Sequence, residues 1–483
     1  MMIESQIESK NFIGGEWVPA DSGEVYEVTN PANPSELLGT TPKSGAEETA
    51  RAIEAAASAL PGWKATLPSE RGAILTQAAD LMESRTDELA QLMAREVGKP
   101  MPESRAEVVR AATILRFYGS EGWRMFGITP PSTRPGVEIS SVREPLGVVA
   151  LITPWNFPLA IPTWKLAPAL ICGNTVVIKP ATDASLNAAS LVRILAEAGL
   201  PDGVVNMVTG SGGTVGDAMV TDPRVEAISF TGSTPVGLGI QERAIGKKVQ
   251  LEMGGKNPYL VMEDADLSDA AQKVAYGAFG YSGQKCTASS RAIVVEDVYD
   301  EFIDELKRAA EAMKFGDPLD EETIVGPVIN ESQYEDILEA LETAKGEGRM
   351  VLEGGATGSA DAGYYISPAI VADVDNGSQT AQEEIFGPVL AVIRARDFDH
   401  AVELANDTRF GLTAGIATRS LRYAHEFLAR SETGLVNVNV PTAGLEFQVP
   451  FGGVKESGVG PREQGPAALD FYSTWKTIAI RPL

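Results

Sequence analysis

Cysteine and histidine are scarce in this 483-residue sequence, with two of each. Two cysteines cannot build a disulfide framework, which favours a reducing cytoplasm as the location. His400 and His425 fall in segments predicted to form polar helix surfaces, so a hydrolase that pairs cysteine with a histidine base is disfavoured. No apolar run reaches membrane-spanning length, and Met1–Lys10 lacks the apolar core of a targeting signal. These absences predict a cytoplasmic protein with no membrane partner.

Basic residues are scarce as well, at 40 Lys and Arg against 66 Asp and Glu, for a net charge of −26. Such a surface repels polyanions and no basic run offers a local exception, so nucleic acid is not an expected partner. Only 16 of the 40 basic residues are Lys. High acidity with little Lys favours a halophilic source, because concentrated salt screens the self-repulsion; an acidic mesophilic enzyme is the alternative.

The sequence does contain enough apolar material, 44% of its residues, to build two or more domains at this length. The first third is predicted to form amphipathic helices at Ala46–Ala59, Ser69–Val97 and Glu103–Trp123. From Gly147 onward short apolar runs alternate with helical stretches, and a second such series starts near Tyr259. This alternation indicates an α/β fold whose parallel sheets are covered on both faces and bind ligands beyond the carboxyl ends of their strands.

Two segments stand outside this pattern. Ile128–Arg143 contains Pro and Ser and alternates like an exposed hairpin or arm, and the tail after Gly460 ends in an isolated strand, TWKTIAI. An isolated strand needs a partner edge, so we expect the tail to pair with the arm of the same or a neighbouring subunit. This expectation disfavours a monomer and leaves a homodimer and a homotetramer open.

Cys286 is the candidate nucleophile, because a thiolate is the strongest nucleophile available near neutral pH. It lies in a turn of small residues, FGYSGQKCTASSR, where Lys285 and a helix N-terminus would both favour the thiolate; a merely small turn residue is the alternative. Cys172 follows an apolar helix and is predicted to be buried. In place of histidine, the base would be a carboxylate of raised pKa, and Glu252 at the end of the strand VQLE is the candidate, with an ordinary loop residue as the alternative.

Phosphate binding has one good candidate loop. The fingerprint G-x-G-x-x-G is absent, and the glycines between Gly210 and Gly216 approximate it with the wrong spacing. Phe230–Thr234 is the better candidate, since a strand end and small residues precede a helix whose free N–H groups could hold a pyrophosphate. An ordinary turn between strand and helix is the alternative.

Seven motifs follow one another along the chain: TPWNFP at 153–158, KP at 179–180, FTGST at 230–234, LEMGGKNP at 251–258, GQKC at 283–286, EEIFGPV at 383–389 and PFGG at 450–453. In their order and approximate spacing they resemble the motifs of the aldehyde dehydrogenase family, and the resemblance covers nearly the whole chain. The resemblance implies a Rossmann-type cofactor domain, an α/β catalytic domain and a β-arm for oligomerisation. The expected boundaries are a dinucleotide-binding domain at 1–127 and 144–252, a catalytic domain at 253–440, the arm and terminal strand at 128–143 and 461–483, and a substrate loop at 441–460.

The resemblance also implies a mechanism. The Cys286 thiolate would attack the aldehyde carbon, and the Asn156 amide with the Cys286 backbone N–H would hold the oxyanion. After hydride transfer to the nicotinamide, water activated by Glu252 would hydrolyse the thioester and release a carboxylic acid. No metal site is predicted. A binding or structural protein on the same fold is the alternative, disfavoured because these three residues occur together.

Cofactor contacts are implied along one channel. The resemblance places Thr153 and Trp155 in its wall, Lys179 at the adenosine ribose, Gly232 and Ser233 at the pyrophosphate, Glu384 at the nicotinamide ribose and Phe386 beside the nicotinamide. Thr182 departs from the family pattern, because many NAD-preferring members have KPSE where this chain has KPAT. The missing carboxylate removes a repulsion on a 2′-phosphate, so NADP is expected to be preferred over NAD.

The substrate is implied by the tail. The segments VNVPTAGLEFQVPFGG and FGYSGQKCTASSR are similar to those of 2-oxoglutarate semialdehyde (2,5-dioxopentanoate) dehydrogenases, which complete pentose or sugar-acid breakdown. Succinate semialdehyde dehydrogenase is the rival, but there an Arg commonly precedes the residue matching Lys165, and here Trp164 does. The expected partner is therefore a small anionic semialdehyde, with Arg116 and Lys285 as candidate cations for its carboxylate.

Overall fold

Two open sheets, each covered by helices on both faces, form the frame of the chain. The computed structural model describes residues 6–444 and 446–482. Three parts of the predicted segments lie outside the described residues. They are residues 1–5 of the predicted dinucleotide-binding domain, residue 445 of the predicted substrate loop and residue 483 of the predicted terminal strand. No helix in the described part is both long and apolar enough to cross a membrane.

The first sheet has eight strands, and its five central strands run parallel. Central strands such as VVALI and TVVIK are almost wholly apolar because helices cover both of their faces. In spatial order the strands are Gly458–Val459, Lys248–Glu252, Val225–Thr231, Val148–Ile152, Thr175–Lys179, Val205–Met207, Asn11–Ile13 and Glu16–Val18. Helical segments in this part are Ala46–Ala65, Pro68–Ser84, Thr86–Val97, Met101–Glu121, Ala160–Ile171, Thr182–Ala184, Ser185–Glu197, Gly212–Gly216, Asp217–Thr221 and Thr234–Arg243.

The second sheet has seven strands, of which one edge strand is antiparallel. In spatial order they are Arg349–Ala356, Ile366–Ala372, Val389–Ala395, Ser289–Val295, Asn257–Val261, Thr413–Ala417 and Leu435–Val438. Its helical segments are Leu267–Phe279, Gly280–Gly283, Glu296–Val298, Tyr299–Glu311, Glu331–Glu347, Ala360–Ala362, Gln379–Gln382, Phe398–Asn406 and Leu421–Arg430, and Ala467–Phe471 precedes the last strand. The α/β fold predicted from the alternating pattern is confirmed, while the domain boundaries stay a prediction.

The tail pairs with the arm inside the same chain. Ser473–Ile480 runs antiparallel to Glu138–Pro145 over eight residue pairs. Trp475 and Ile480 on this two-stranded sheet are 45% and 55% exposed. Two smaller sheets combine Ile7–Glu8, Asn33–Pro42 and Val25–Asn30, and Phe410–Gly411 with Val454–Lys455.

One predicted helix is divided in two. The expected helix Ser69–Val97 breaks at Arg85, whose φ of −113° and ψ of 21° are not helical. The Arg85 N–H donates to the carbonyl of Met82, three residues back, so the helix ends in a tight turn. Both helices contribute buried residues to the apolar cluster that the first sheet forms with its helices. This cluster is the largest among the described residues.

Candidate active site

Parallel strands bring the predicted site residues to one edge of the first sheet. Val148–Ile152, Thr175–Lys179, Val225–Thr231 and Lys248–Glu252 are mutual neighbours, so their carboxyl ends lie side by side. A cavity of about 670 Å³ opens between these ends and the second sheet's helices. Seven of the eleven predicted residues line it: Trp155, Asn156, Gly232, Ser233, Cys286, Glu384 and Phe386.

The other four predicted residues lie close by but outside the cavity wall. Thr153 is buried, and its N–H donates to the carbonyl of Lys179 at 3.1 Å. Lys179 is 7% exposed, and Thr182 begins the short helical turn after it. Glu252 is 3% exposed and ends its strand one residue before Met253, which lines the cavity.

Cys286 is held at the cavity by the loop that precedes it. Tyr281 and Ser282 adopt left-handed conformations, with φ of 54° and 55°. Both are buried, and their hydroxyls donate to the carbonyls of Val97 at 3.1 Å and Gly326 at 2.6 Å. These hydrogen bonds offset the strain of the left-handed backbone conformation. They also fix the turn that places the partly exposed Cys286 at the cavity.

The expectation that Lys285 and a helix N-terminus favour the Cys286 thiolate is wrong. The Lys285 ammonium turns away and donates to Glu103 at 2.7 Å. The turn leads into the strand Ser289–Val295, and no helix begins at Cys286 to supply the expected N-terminus. Burial, together with the negative charges of Glu384 and Glu252, raises the pKa of Cys286 to about 12. The sulfur is therefore protonated at neutral pH in this state.

The remaining predictions about sulfur and histidine are confirmed. Cys172 is buried at 2% exposure, and burial raises its pKa to about 12. His400 and His425 lie on the helices Phe398–Asn406 and Leu421–Arg430. Neither histidine lines the cavity that contains Cys286.

Asn156 joins the Cys286 loop to the first sheet. Its side-chain Nδ2 donates to the carbonyl of Gln284 at 3.0 Å, two residues before the cysteine. Its own carbonyl accepts from Lys99 Nζ at 2.6 Å. Asn156 is 3% exposed, and these two hydrogen bonds fix the orientation of its side-chain amide.

A buried ion pair supports Asn156 from behind. Lys99 Nζ bonds to Glu107 Oε2, and the two side chains are 0% and 2% exposed. Glu107 Oε1 accepts the N–H groups of Leu159 and Ala160, both at 2.9 Å, at the start of the helix that follows Asn156. The Lys99 ammonium also lies 4.6 Å from the Tyr281 ring centroid. Lys99 therefore contacts both segments that meet beside Cys286, a position that could not be predicted from the sequence.

Glu252 lies in a buried network of charges. Its Oε2 accepts the Gly453 N–H at 3.2 Å. Burial and the charge of Glu463 raise the pKa of Glu252 well above its ordinary value, while Lys165, the Gly453 N–H and Arg462 oppose the shift. The expectation of a carboxylate of raised pKa is in line with this environment. Lys165 pairs with Glu463, which also accepts Trp164 Nε1 at 2.8 Å.

Several hydrogen-bonding groups in and near the candidate phosphate-binding loop have few or no partners in the described part of the chain. Ser233 is the N-cap of Thr234–Arg243, and its hydroxyl makes no capping bond. Among the described residues, Thr231 Oγ1 is buried without a hydrogen-bond partner. Lys179 Nζ, with three donor hydrogens, has one acceptor, the Pro180 carbonyl at 3.2 Å, and burial lowers its pKa to about 8. Free donors along one edge fit the phosphates and hydroxyls of a dinucleotide.

The opposite wall supplies an acceptor and an aromatic pair. Glu384 Oε1 accepts the Gly255 N–H at 3.0 Å, and burial raises the pKa of Glu384 to about 7. Phe386 packs edge-on against Trp155 with ring centroids 5.5 Å apart. This arrangement suits a ribose hydroxyl next to a flat ring.

Sequence reasoning missed one wall of the cavity. Polar residues of the helix Glu331–Glu347 line it, together with residues just before Glu384. They are Gln333, Asp336, Glu339, Thr343, Gln379, Thr380 and Glu383. Their helix looks like an ordinary amphipathic surface helix, so only the packing of the two sheets reveals their position.

Both residues expected to bind the substrate carboxylate, Arg116 and Lys285, already form ion pairs within the protein. Arg116 donates to Asp80 at 2.7 Å and to Glu83 on an exposed helix surface. Lys285 is committed to Glu103. Neither lines the cavity.

Comparison with known proteins agrees with this geometry. Residues 17–478 match the model of the aldehyde dehydrogenase family. An alpha-ketoglutaric semialdehyde dehydrogenase of Bacillus subtilis is 44% identical over 486 residues, covering 100% of both chains. An alpha-ketoglutarate semialdehyde dehydrogenase of Haloferax volcanii is 46% identical over 476 residues, covering 97% of this chain and 98% of the relative.

Solved structures of similar proteins include users of either cofactor. An Escherichia coli NADP-dependent enzyme superposes with a TM-score of 0.94 at 38% identity, covering 98% of each chain. An NAD-dependent aldehyde dehydrogenase of Sinorhizobium meliloti superposes with a TM-score of 0.95 at 35% identity, covering 99% of this chain and 95% of that one.

Proposed function

The chain belongs to the aldehyde dehydrogenase family, and from that premise we propose that it oxidises 2-oxoglutarate semialdehyde to 2-oxoglutarate. It is an NAD(P)-dependent aldehyde oxidoreductase. The observation that carries the proposal is the meeting of Cys286 and Asn156 in one cavity, with Glu252 next to the cavity-lining Met253 and its charge acting on Cys286. Two full-length relatives named for this substrate support the choice of aldehyde.

In the first half-reaction the Cys286 thiol gives its proton to solvent, and the thiolate bonds to the aldehyde carbon as the carbonyl double bond opens to an oxyanion. The Cys286 backbone N–H lowers the pKa of the thiol against the effect of burial, which favours the thiolate. The Asn156 amide, now bonded to the Gln284 carbonyl, would turn to the oxyanion and hold it with that N–H. When bound, the nicotinamide cofactor supplies the acceptor for the hydride that leaves the same carbon.

In the second half-reaction Glu252 takes a proton from water. The hydroxide bonds to the acyl carbon, the carbon–sulfur bond breaks, and Cys286 leaves as a thiolate that regains a proton. A carboxylate of raised pKa suits this base, since it accepts a proton near neutral pH and releases it later. The Gly453 N–H fixes the position of Glu252 by donating to its Oε2 at 3.2 Å.

We further propose that NADP is preferred to NAD. Thr182 carries no charge, and the Lys179 ammonium has donors to spare for a 2′-phosphate. One neighbour opposes this preference, because Asp183 follows Thr182 directly. Burial raises the pKa of Asp183, while the hydrogen bond that its Oδ2 accepts from Asn330 Nδ2 at 3.3 Å opposes that rise.

Assembly and location are also proposed. The family is generally oligomeric, and a homodimer or homotetramer would cover the exposed apolar side chains of Trp475 and Ile480 on the arm sheet. A cytoplasmic location is supported by the free state of both cysteines.

The proposal is tested by steady-state kinetics on purified protein. We expect kcat/KM for 2-oxoglutarate semialdehyde to exceed that for succinate semialdehyde by at least about tenfold, or about 1.4 kcal/mol of transition-state free energy. Cys286→Ala provides the blank. A higher kcat/KM for succinate semialdehyde would refute the substrate while leaving the family intact.

A further inference from the structure

The carboxylate of a semialdehyde needs a cation, and the charged residues near the site are mostly engaged. Lys99, Lys165 and Lys285 each pair with a glutamate. Arg462 donates to the Gly453 carbonyl. A substrate anion therefore requires a different donor.

Arg110 differs from these lysines because, among the described residues, it is not engaged in an ion pair with a glutamate. It lies on the helix Met101–Glu121, with its guanidinium 5.9 Å from the Trp164 ring centroid. In the part of the chain that the structure describes, Arg110 forms no ion pair, although the charges of Glu107 and Glu446 act on it, and its buried Nε has no hydrogen-bond partner. Its Nη2 reaches only Gln464 Oε1, at a long 3.4 Å.

Gln464, like Arg110, has a buried hydrogen-bond donor without a partner in the described structure. Its side-chain Nε2 is buried and has no partner among residues 6–444 and 446–482. Native proteins pair nearly all buried donors, so two adjacent orphans indicate a missing acceptor. One of the two is a guanidinium that stays charged at all ordinary pH, and its planar fork matches the two oxygens of a carboxylate.

The orphan donors lie outside the lining of the cavity of about 670 Å³, and packed side chains connect them to the loop that contacts Glu252. The Trp164 ring that Arg110 covers lies 5.8 Å from the Phe451 ring. Phe451 is followed by Gly452 and Gly453, and the Gly453 N–H bonds to Glu252. The aldehyde and carboxylate of the proposed substrate lie at opposite ends of a five-carbon chain, so the anion must be held at a distance from Cys286.

We propose that the Arg110 guanidinium and the Gln464 amide bind the carboxylate of the substrate, and that Arg110 sets the preference for anionic over neutral aldehydes. The inference rests on the proposed function only in requiring aldehyde oxidation at Cys286. It applies to any aldehyde that carries a carboxylate at its far end.

The test compares two aldehydes that differ by the carboxylate, 5-oxopentanoate and pentanal. Arg110→Met should lower kcat/KM for 5-oxopentanoate by about 10- to 100-fold, the range for losing a charged hydrogen bond. The value for pentanal should change by less than about twofold. Arg116→Met, six residues along the same helix and paired at the surface, is the matched control and should alter neither.

An equal fall on both aldehydes, or no fall on either, would overturn the proposal. If Arg110→Met does not fold, Arg110→Lys keeps the charge without the fork. It should lower kcat/KM for 5-oxopentanoate by about tenfold and spare pentanal, and parallel losses would again overturn the proposal.

A binding measurement separates this proposal from the proposed function. Glutarate titrated into the protein should quench tryptophan fluorescence through Trp164, with an affinity at least about tenfold weaker in Arg110→Met. Unchanged affinity would overturn the proposal even if the wild type oxidises no tested aldehyde. A wild type that prefers another carboxylate-bearing aldehyde would refute the proposed substrate alone.

Discussion

Replacing Lys99 with methionine should slow the chemical step more than it weakens substrate binding. Lys99 holds the Asn156 carbonyl at 2.6 Å, and Asn156 supplies the proposed oxyanion donor. A hydrogen bond to a charged group contributes about 1.5–3 kcal/mol, so a loss expressed wholly at Asn156 lowers kcat about 10- to 100-fold. Removing the oxyanion donor itself costs about 10²–10³-fold in kcat, which bounds the effect.

The single change has a second cost. Glu107 would be left as an unpaired charge at 2% exposure, which destabilises a protein by about 3–5 kcal/mol. The double variant Lys99→Met with Glu107→Gln removes that charge and keeps an oxygen for the N–H groups of Leu159 and Ala160. We expect it to regain much of the melting temperature while kcat stays low.

The assay measures kcat and KM separately for these variants, with thermal melting alongside. Lys345→Met is the matched control, since it removes an exposed ion pair with Glu342 and should change neither quantity. A double variant with wild-type kcat would refute the reasoning, because it would show that the ion pair only stabilises the fold.

Three further outcomes are expected. Thr182→Glu should shift the ratio of kcat/KM values from NADP toward NAD by at least about tenfold, since a carboxylate near the ribose repels a 2′-phosphate; an unchanged ratio would place the phosphate elsewhere. Alkylation of Cys286 in the cofactor-free enzyme should accelerate about tenfold per pH unit through neutral pH, because a thiol whose pKa is raised to about 12 gains thiolate as pH rises; a rate that levels off near neutral pH would contradict that burial. Ile480→Asp should lower the molecular mass in size-exclusion chromatography with little loss of melting temperature, as this residue is 55% exposed in the single chain, and an unchanged mass would exclude the arm sheet from the subunit interface.

The sequence could predict what depends on neighbours along the chain. Apolar runs such as VVALI indicate central parallel strands, and the isolated strand at Ser473–Ile480 indicates a partner that the arm provides. Motif order brings Cys286, Asn156 and Glu384 to one cavity, because parallel strands end at a common edge.

What depends on contacts far apart in sequence could not be predicted. Lys285 neighbours Cys286 in the chain, yet Glu103, 182 residues away, draws its ammonium aside. Arg116 and Arg110 look equivalent on one helix, but only packing shows that the first meets Asp80 while the second lies over Trp164. The helix Glu331–Glu347 carries no motif, so its place in the cavity wall follows from the docking of the two sheets.

The central claim is that Cys286 carries the acyl group of 2-oxoglutarate and that Glu252 releases it. Intact-mass spectrometry of Glu252→Gln, mixed with 2-oxoglutarate semialdehyde and NADP, tests it most directly. We predict that one acyl group accumulates on the protein, that peptide mapping places it on Cys286 and not on Cys172, and that the adduct is absent in Cys286→Ala. An unmodified protein that has nevertheless produced reduced cofactor, or an adduct on any other residue, would contradict the account.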